Sequence, residues 1–303
     1  MIRLGLCCLF IDQPIKFRVA TATHLLKFPR NERLAKLSWL CLENARTLLK
    51  AIEYCGAHHI GCFRVNSQFW PVKTHPDAGY DLAQLPDETD IQKMLLQCRE
   101  RSRALDVRLS FHPDQFILLS SPKPDVVQRS ILELEYQAQV SALIGADVIN
   151  IHAGGGYGNK QAALKRMGRV LPHLSKDVRS RLTLENDDRI YSPADLLPFC
   201  KQYQVPLVYD VHHHRCLPDG LTVQEATDAA LKTWDREPLF HISSPKQGWD
   251  GKHVAWHHDY IHKSDFPVEW QRMNITVEVE AKAKELAVRR LYHDLKFSKM
   301  VSG

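Results

Sequence analysis

Six acidic or histidine side chains stand at the ends of apolar runs in the sequence, or one residue from them. They are His112, His152, Glu185, Asp210, His241 and Glu280. His, Asp and Glu together make up about one residue in six, so six consecutive matches are improbable by chance. Charged groups in a sheet that is buried on both faces need partners, and these run ends carry no matching set of Arg or Lys. Mixed imidazole and carboxylate shells suit manganese, zinc or iron, so the pattern predicts a divalent metal site.

More candidate ligands lie close to the same run ends. They are His75, His213, and either His257 or His258. His213 follows Asp210 by three residues at a predicted strand-to-loop turn, between His212 and His214. In an extended segment at most one or two of three successive side chains point inward, and we favour His213. More than four ligands imply two or three metal ions, an arrangement that can stabilise both the attacking and the leaving oxygen of a phosphodiester.

A glycine-rich segment follows the fourth apolar run. Gly154–Gly158 could cradle a phosphate, and its place beside His152 strengthens an otherwise weak signal. Lys160 is a candidate phosphate contact and Tyr157 a candidate groove contact. For the chemistry, we expect Glu185 or Glu280 to bind the metal that lowers the pKa of an attacking water.

The elements that carry these residues alternate between short β-rich runs and longer amphipathic segments, which is typical of repeated βα units. The predicted strands are Ile2–Cys8, Cys62–Val65, Val107–His112, Val148–His152, Leu182–Glu185, Leu207–Asp210, Leu239–Ile242 and Ile275–Glu280. The predicted helices are Leu34–Tyr54, Asp90–Leu105, Val126–Ile144, Gln161–Leu174, Pro193–Tyr203, Leu221–Trp234 and Ala281–Leu295, with Ser244–Gln271 left irregular. Eight such units predict one (β/α)8 TIM barrel over residues 1–303, with its active site at the C-terminal ends of the strands.

Composition limits the class of protein. The 303 residues are 44% hydrophobic and carry a net charge of +5, which permits a polyanionic partner without requiring one. The eight cysteines include no Cys-x-x-Cys pair, which favours reduced thiols in a cytoplasmic protein over a zinc finger or a disulfide framework. No apolar run is long enough to cross a membrane.

Several sequence blocks resemble the signature of the ultraviolet-damage endonucleases. They are Phe111–Phe116, Asn150–Lys160, Leu184–Asp188, Tyr209–His213, His241–Pro245 and Val279–Lys284, and they follow the family's order over nearly the whole chain. The family is similar in fold to the endonuclease IV and xylose isomerase barrels. The resemblance implies a divalent cluster, usually manganese, that hydrolyses DNA 5′ to cyclobutane dimers and (6-4) photoproducts and leaves a 3′-hydroxyl.

The resemblance also implies roles for individual residues. The implied ligands are His75, His112, His152, Glu185, Asp210, His213, His241, His257 and Glu280. His257 is preferred to His258 because the family's histidine stands four residues before an aliphatic residue, here Ile261. Gln115 and Phe116 match the family's lesion probe, which fills the gap left by a flipped dinucleotide. An alternative is that Phe116, with Ile117–Leu119 behind it, belongs to the core.

Two positions depart from the family. Many members have a lysine at the position of Leu239, and that lysine, once modified, bridges metals. Because this chain lacks it, the resemblance implies either two or three ions. Leu6 stands where an aromatic residue is usual.

We expect a monomer that acts on UV-damaged double-stranded DNA, with no nucleotide cofactor and no membrane partner. The alternatives are a sugar isomerase or epimerase of the xylose isomerase type, and a damaged-DNA binder that has lost catalysis.

Overall fold

The structure, a computed structural model, describes residues 2–301, with side chains described up to Lys296. Eight parallel strands form its centre. They are β1 (Arg3–Cys7), β2 (Cys62–Val65), β3 (Arg108–Phe111), β4 (Val148–His152), β5 (Leu182–Glu185), β6 (Leu207–Val208), β7 (Leu239–Ile242) and β8 (Thr276–Val279). Their order is β6-β5-β4-β3-β2-β1-β8-β7. This is the predicted (β/α)8 barrel.

Helices of very different length lie between the strands and after β8. They are α1 (Ala22–Leu25), α2 (Arg30–Ala57), α3 (Glu88–Ala104), α4 (Pro124–Ile144), α5 (Lys160–Val170), α6 (Lys176–Arg179), α7 (Pro193–Tyr203), α8 (Val211–Cys216), α9 (Val223–Leu231) and α10 (Lys284–Val301). Short 3-10 turns cover Leu82–Gln84, Leu171–His173, Lys263–Asp265 and Val268–Arg272. The segment predicted to be irregular contains the third of these turns and all but the last residue of the fourth.

The barrel has one weak seam. β6 and β7 meet through a single parallel bridge, between Asp210 and His241, whereas every other pair of neighbouring strands shares a ladder of two to four residues. The backbone N–H of His241 also donates to the carbonyl of Tyr209 at 3.1 Å. Within the described residues, the only bridge that closes the barrel between β6 and β7 therefore joins two of the implied ligands.

Side chains on the strands alternate between the barrel interior and the surrounding helices. On β7, Phe240 packs against Trp270 at 5.2 Å between ring centroids, whereas His241 points inward. Leu239 lies on the same face as His241 and forms a small buried cluster with Val148 and Val208. The departure at Leu239 therefore fills space in a small apolar cluster inside the barrel.

One prediction of local structure was wrong. The residues after Asp210 form helix α8 and not an extended turn, because the Asp210 side chain caps the helix by accepting from the backbone N–H of His213 at 2.7 Å. On this helix, His212 and His214 are both buried. His214 lies between Tyr209 Oη at 2.7 Å and Asp219 Oδ1 at 2.9 Å, so it packs the helix in place and does not face solvent.

Candidate metal centre

The carboxylate of Glu185, at the end of β5, is the centre of the site and is 1% exposed. Its Oε2 lies 2.9 Å from His112 Nε2 and 3.9 Å from His152 Nε2. Its Oε1 lies 3.1 Å from His241 Nδ1 and 3.4 Å from His213 Nδ1. Four imidazoles thus surround one buried carboxylate: His112, His152 and His241 come from β3, β4 and β7 or the residue after the strand, and His213 comes from helix α8.

Two more carboxylates extend the cluster. Glu280 Oε1 lies 3.5 Å from His241 Nδ1, and Glu280 Oε2 lies 3.8 Å from His257 Nδ1. Asp210 Oδ2 lies 3.7 Å from His213 Nδ1. The resemblance implies that His257, and not His258, is a ligand. The contact with Glu280 supports that choice, because His258 Nδ1 accepts from the N–H of Tyr260 at 3.0 Å within the loop.

The donor set fits divalent cations. Three groups of residues each place one potential ligand atom per residue within 4.8 Å of the others. The groups are His112/His152/Glu185, His112/His241/Glu280 and Glu185/Asp210/His213. Asp210 Oδ2 and His152 Nδ1 are buried without a hydrogen-bond partner, which is costly unless another ligand satisfies them. Imidazole and carboxylate together are the ligands of zinc, manganese or iron.

The electrostatics of the cluster keep its carboxylates charged. Burial alone would raise the pKa of Glu185, but the charge of His241 and hydrogen bonds from His112 and His213 hold it well below its usual range. Burial would lower the pKa of His241, yet the charge of Glu185 raises it to about 10. At His152 burial prevails and lowers the pKa, which favours the neutral ring that a metal requires.

An arginine in this cluster was not predicted. Arg64, inside β2, donates to Glu278 Oε2 at 2.5 Å, contacts Glu280 Oε1 at 2.7 Å and lies 3.0 Å from His241 Nε2. Burial would raise the pKa of Glu278, but the charge of Arg64 lowers it to about 2. The sequence has no matching ring of Arg or Lys at the run ends, and this single arginine inside a run was missed. A charged residue in each of the runs Cys-Phe-Arg-Val and Val-Glu-Val was the signal that could have found the pair.

His75 stands apart from the other implied ligands. Its Nδ1 accepts from the backbone N–H groups of Asp77 at 3.1 Å and Ala78 at 3.2 Å. It lies in the wall of a cleft of about 780 Å³ between the loops after β2 and β3. Among the residues that the structure describes, none of the three ligand groups contains His75.

The implied DNA contacts lie on the loops at the mouth. Phe116 is 70% exposed, because the side chain of Asp114 accepts from the Phe116 N–H at 2.9 Å and turns the chain outward. Gln115 beside it is exposed. Of the three residues that follow Phe116, Ile117 and Leu119 are buried and Leu118 is half-buried.

The glycine loop presents the other two implied contacts. Gly154 has a φ of +85°, and a Cβ there would lie 2.8 Å from Ser120 Oγ, so this turn needs glycine. The loop leaves Tyr157 half exposed. Lys160, the first residue of α5, is paired with Asp195 at 2.8 Å and would have to leave that carboxylate to reach a phosphate.

Fold and site together define a class, the parallel TIM barrels with a candidate metal centre at the mouth. Within it, the chain belongs to the family described as UV-endonuclease UvdE, whose sequence model matches residues 2–302.

Named relatives agree with this assignment. The chain is 35% identical to the UV DNA damage endonuclease of Deinococcus radiodurans over 305 residues, covering 95% of this chain and 94% of the relative. It is 33% identical to the enzyme of the same name from Bacillus velezensis over 301 residues, covering 95% and 91%. Among solved structures, SacUVDE superposes with a TM-score of 0.85 at 24% identity over 99% of both chains. Endonuclease IV from Thermus thermophilus follows with a TM-score of 0.62 at 14% identity, over 97% of this chain and 98% of that one.

Within residues 2–301, no helix is long and apolar enough to cross a bilayer.

Proposed function

We propose that this chain is a monomeric, metal-dependent endonuclease that nicks UV-damaged double-stranded DNA 5′ to cyclobutane dimers and (6-4) photoproducts. The observation that carries the proposal is the convergence of four imidazoles on the buried Glu185 carboxylate at the barrel mouth. The lesion class is taken from the relatives, which are named UV DNA damage endonucleases.

In this proposal the cluster holds two to three divalent ions, most simply Mn²⁺. The proposed ligands are His75, His112, His152, Glu185, Asp210, His213, His241, His257 and Glu280. Bound cations would supply Lewis-acid chemistry at the phosphodiester and lower the pKa of the attacking water. The carboxylates of Glu185 and Glu280 are already ionised in their buried setting, so they can hold cations without first losing a proton.

The mouth supplies the DNA contacts. Lys160 contacts a phosphate once it leaves Asp195, and Tyr157 lies against the groove. Gln115 and Phe116 enter the gap beside the flipped lesion. Extrusion of a damaged dinucleotide is cheap because the lesion already weakens base pairing.

A nicking assay tests the proposal. Protein treated with EDTA and then supplied with Mn²⁺ should nick UV-irradiated plasmid and leave unirradiated plasmid closed, and metal analysis should give more than one equivalent. Glu185→Gln keeps the shape of the side chain but removes its charge, so we expect nicking and metal content to fall while damaged-DNA binding remains. Glu100→Gln, on the exposed face of α3, is the matched control and should behave as wild type. Full activity in excess EDTA, or normal nicking by Glu185→Gln, would show the proposal to be wrong.

A further inference from the structure

The connection from β7 to β8 folds back on itself beside the candidate metal centre. Residues 244–258, called the β7 loop here, leave the barrel mouth and return at His257. Pro245 and His257 form an antiparallel bridge, and the N–H of Lys246 donates to the carbonyl of Trp256 at 2.6 Å. The two arms are therefore held as a hairpin, and the returning arm leads directly into a proposed ligand.

The two tryptophans of the β7 loop have different environments. Trp249 is tied to the barrel, since its Nε1 donates to the buried Asp265 at 2.9 Å and Arg215 lies 5.8 Å from its ring. Trp256 has no such anchor among the described residues. Its ring stacks on His253 at 4.2 Å with the planes 12° apart, and the residue remains 53% exposed. One ring is built into the loop, whereas the other is presented to solvent.

Trp256 follows β7, whereas Phe116, an exposed aromatic residue proposed to contact DNA, follows β3. In the barrel order, β3 and β7 are four strands apart, which places them on opposite sides of an eight-stranded ring. Loops that follow the strands all leave from the same end of a parallel barrel. The loops that carry Phe116 and Trp256 therefore leave the barrel from opposite sides of its mouth.

The chemistry around Trp256 favours a nucleic acid over a protein partner. Lys246 lies 5.9 Å from the ring, and Lys252 is exposed on the same loop, against one exposed acidic residue, Asp250. Neither lysine forms an ion pair within the described part of the chain. An exposed aromatic ring beside flexible cations is the combination that binds a base and its phosphate, because every base has a π-face and every nucleotide a charge.

We propose that Trp256 is a second base-stacking group, which contacts a base of the damaged duplex on the side of the mouth opposite Phe116. A base extends the stack of His253 and Trp256, and Lys246 moves from the ring to the adjoining phosphate. The inference rests on the proposed function, because it takes damaged DNA as the ligand of this mouth.

Tryptophan fluorescence tests the contact without disturbing the fold. Acrylamide should quench the exposed ring of Trp256 in the free protein, and a duplex with a single thymine dimer, added in EDTA, should protect it. In Trp256→Phe this protection should disappear. Trp39→Phe is the matched control, since Trp39 is 51% exposed on α2 with Arg18 over its ring, and it should keep the protection. Equal protection in wild type and Trp256→Phe would overturn the proposal.

Affinity tests the stacking itself. Trp256→Leu should weaken binding of the dimer-containing duplex by about 5- to 150-fold, the range expected for one lost base–aromatic stack, whereas Trp256→Phe should stay near wild type. If Trp256→Leu binds the dimer-containing duplex as tightly as Trp256→Phe does, stacking is ruled out. A change confined to self-association in sedimentation would instead assign Trp256 to a protein contact. Plasmid nicking by wild type decides the proposed function separately, because the fluorescence contact can fail while nicking persists.

Discussion

Arg64 places a fixed positive charge inside the candidate metal centre, where it contacts Glu278, Glu280 and His241. Removing one partner of a buried ion pair leaves the other uncompensated, which typically costs about 3–5 kcal/mol. Bound metal ions would neutralise part of the charge that Arg64 now neutralises. The arginine therefore holds Glu280 in place in the metal-free protein and shares its charge once cations bind.

Arg64→Met should lower the free energy of unfolding in EDTA by about 3–5 kcal/mol, and by less in Mn²⁺. Urea unfolding in the two buffers measures both values. Arg64→Lys keeps the charge but not the planar fork and should lose less. The same loss for Met in both buffers would show that metal ions do not substitute for the guanidinium.

Phe116→Ala should leave the melting temperature near wild type, because the ring is 70% exposed. Binding of a dimer-containing duplex should weaken by about 5- to 150-fold, while binding of undamaged duplex, which depends on phosphates, should hardly change. Leu96→Ala removes a comparably exposed apolar side chain from α3 and is the control. A fall of many degrees in the melting temperature would assign Phe116 to the core.

These residues also show what the sequence alone could reveal. His112, Glu185 and Glu280 were found because a parallel barrel brings the ends of its strands together, so position in the chain predicts position in space. Phe116 was ambiguous, since the run Phe-Ile-Leu-Leu is equally typical of core and only the turn at Asp114 exposes the ring. Arg64 was missed because a buried cation inside a strand is explained only by partners more than a hundred residues away.

Among the secondary-structure elements, helix α8 is one that the sequence did not predict. Three successive histidines in a six-residue stretch have no helical period, and a helix this short owes its stability to tertiary contacts. Arg215 supplies one by donating from Nη1 to the carbonyl of Asp265 at 2.7 Å, and the Asp210 cap and the Tyr209–His214–Asp219 contacts add local support. The long helices α2 and α4 were predicted to within a few residues because each buries a regular apolar stripe against the sheet.

At the opposite end of the barrel, Glu237 joins β1 to β8. Its Oε1 lies 3.0 Å from Arg3 Nε and accepts from Thr276 Oγ1 at 2.6 Å. Burial would raise the pKa of Glu237, but the hydrogen bonds from Arg3 and Thr276 outweigh it, so the pKa falls below its ordinary value of 4.5. A lowered folded-state pKa contributes stability that is present above pH 4.5 and is lost as the pH falls through the folded value.

Glu237→Gln should therefore lower the melting temperature at pH 7, and the difference from wild type should shrink below about pH 4.5. Melting curves between pH 3 and pH 8 measure it. Asp235→Asn breaks only an exposed pair with Arg236 and should change little at any pH. A difference that grows as the pH falls would contradict the assigned direction of the pKa shift.

For the molecule as a whole, the seam between β6 and β7 connects metal binding to the stability of the barrel. The single bridge that closes the seam joins Asp210 to His241, and both are proposed ligands. A ligand that binds only the closed form stabilises that form by mass action. Metal ions bound there should tie β6 to β7, and their removal should loosen the seam before the rest of the barrel.

Two cysteines can show whether the seam between β6 and β7 loosens before the rest of the barrel. Cys216 ends α8 beside the seam, and burial raises the pKa of its thiol to about 11; Cys98 lies in α3, and burial raises the pKa of its thiol to about 12. A thiolate is the reactive form, so at pH 8 both should react slowly with a disulfide reagent while the barrel is closed. EDTA should accelerate labelling of Cys216 much more than labelling of Cys98, and Mn²⁺ should reverse the effect; peptide mapping of the labelled protein separates the two. Equal acceleration of both thiols would mean that the metal stabilises the whole barrel uniformly, and no acceleration would mean that the seam closes without metal.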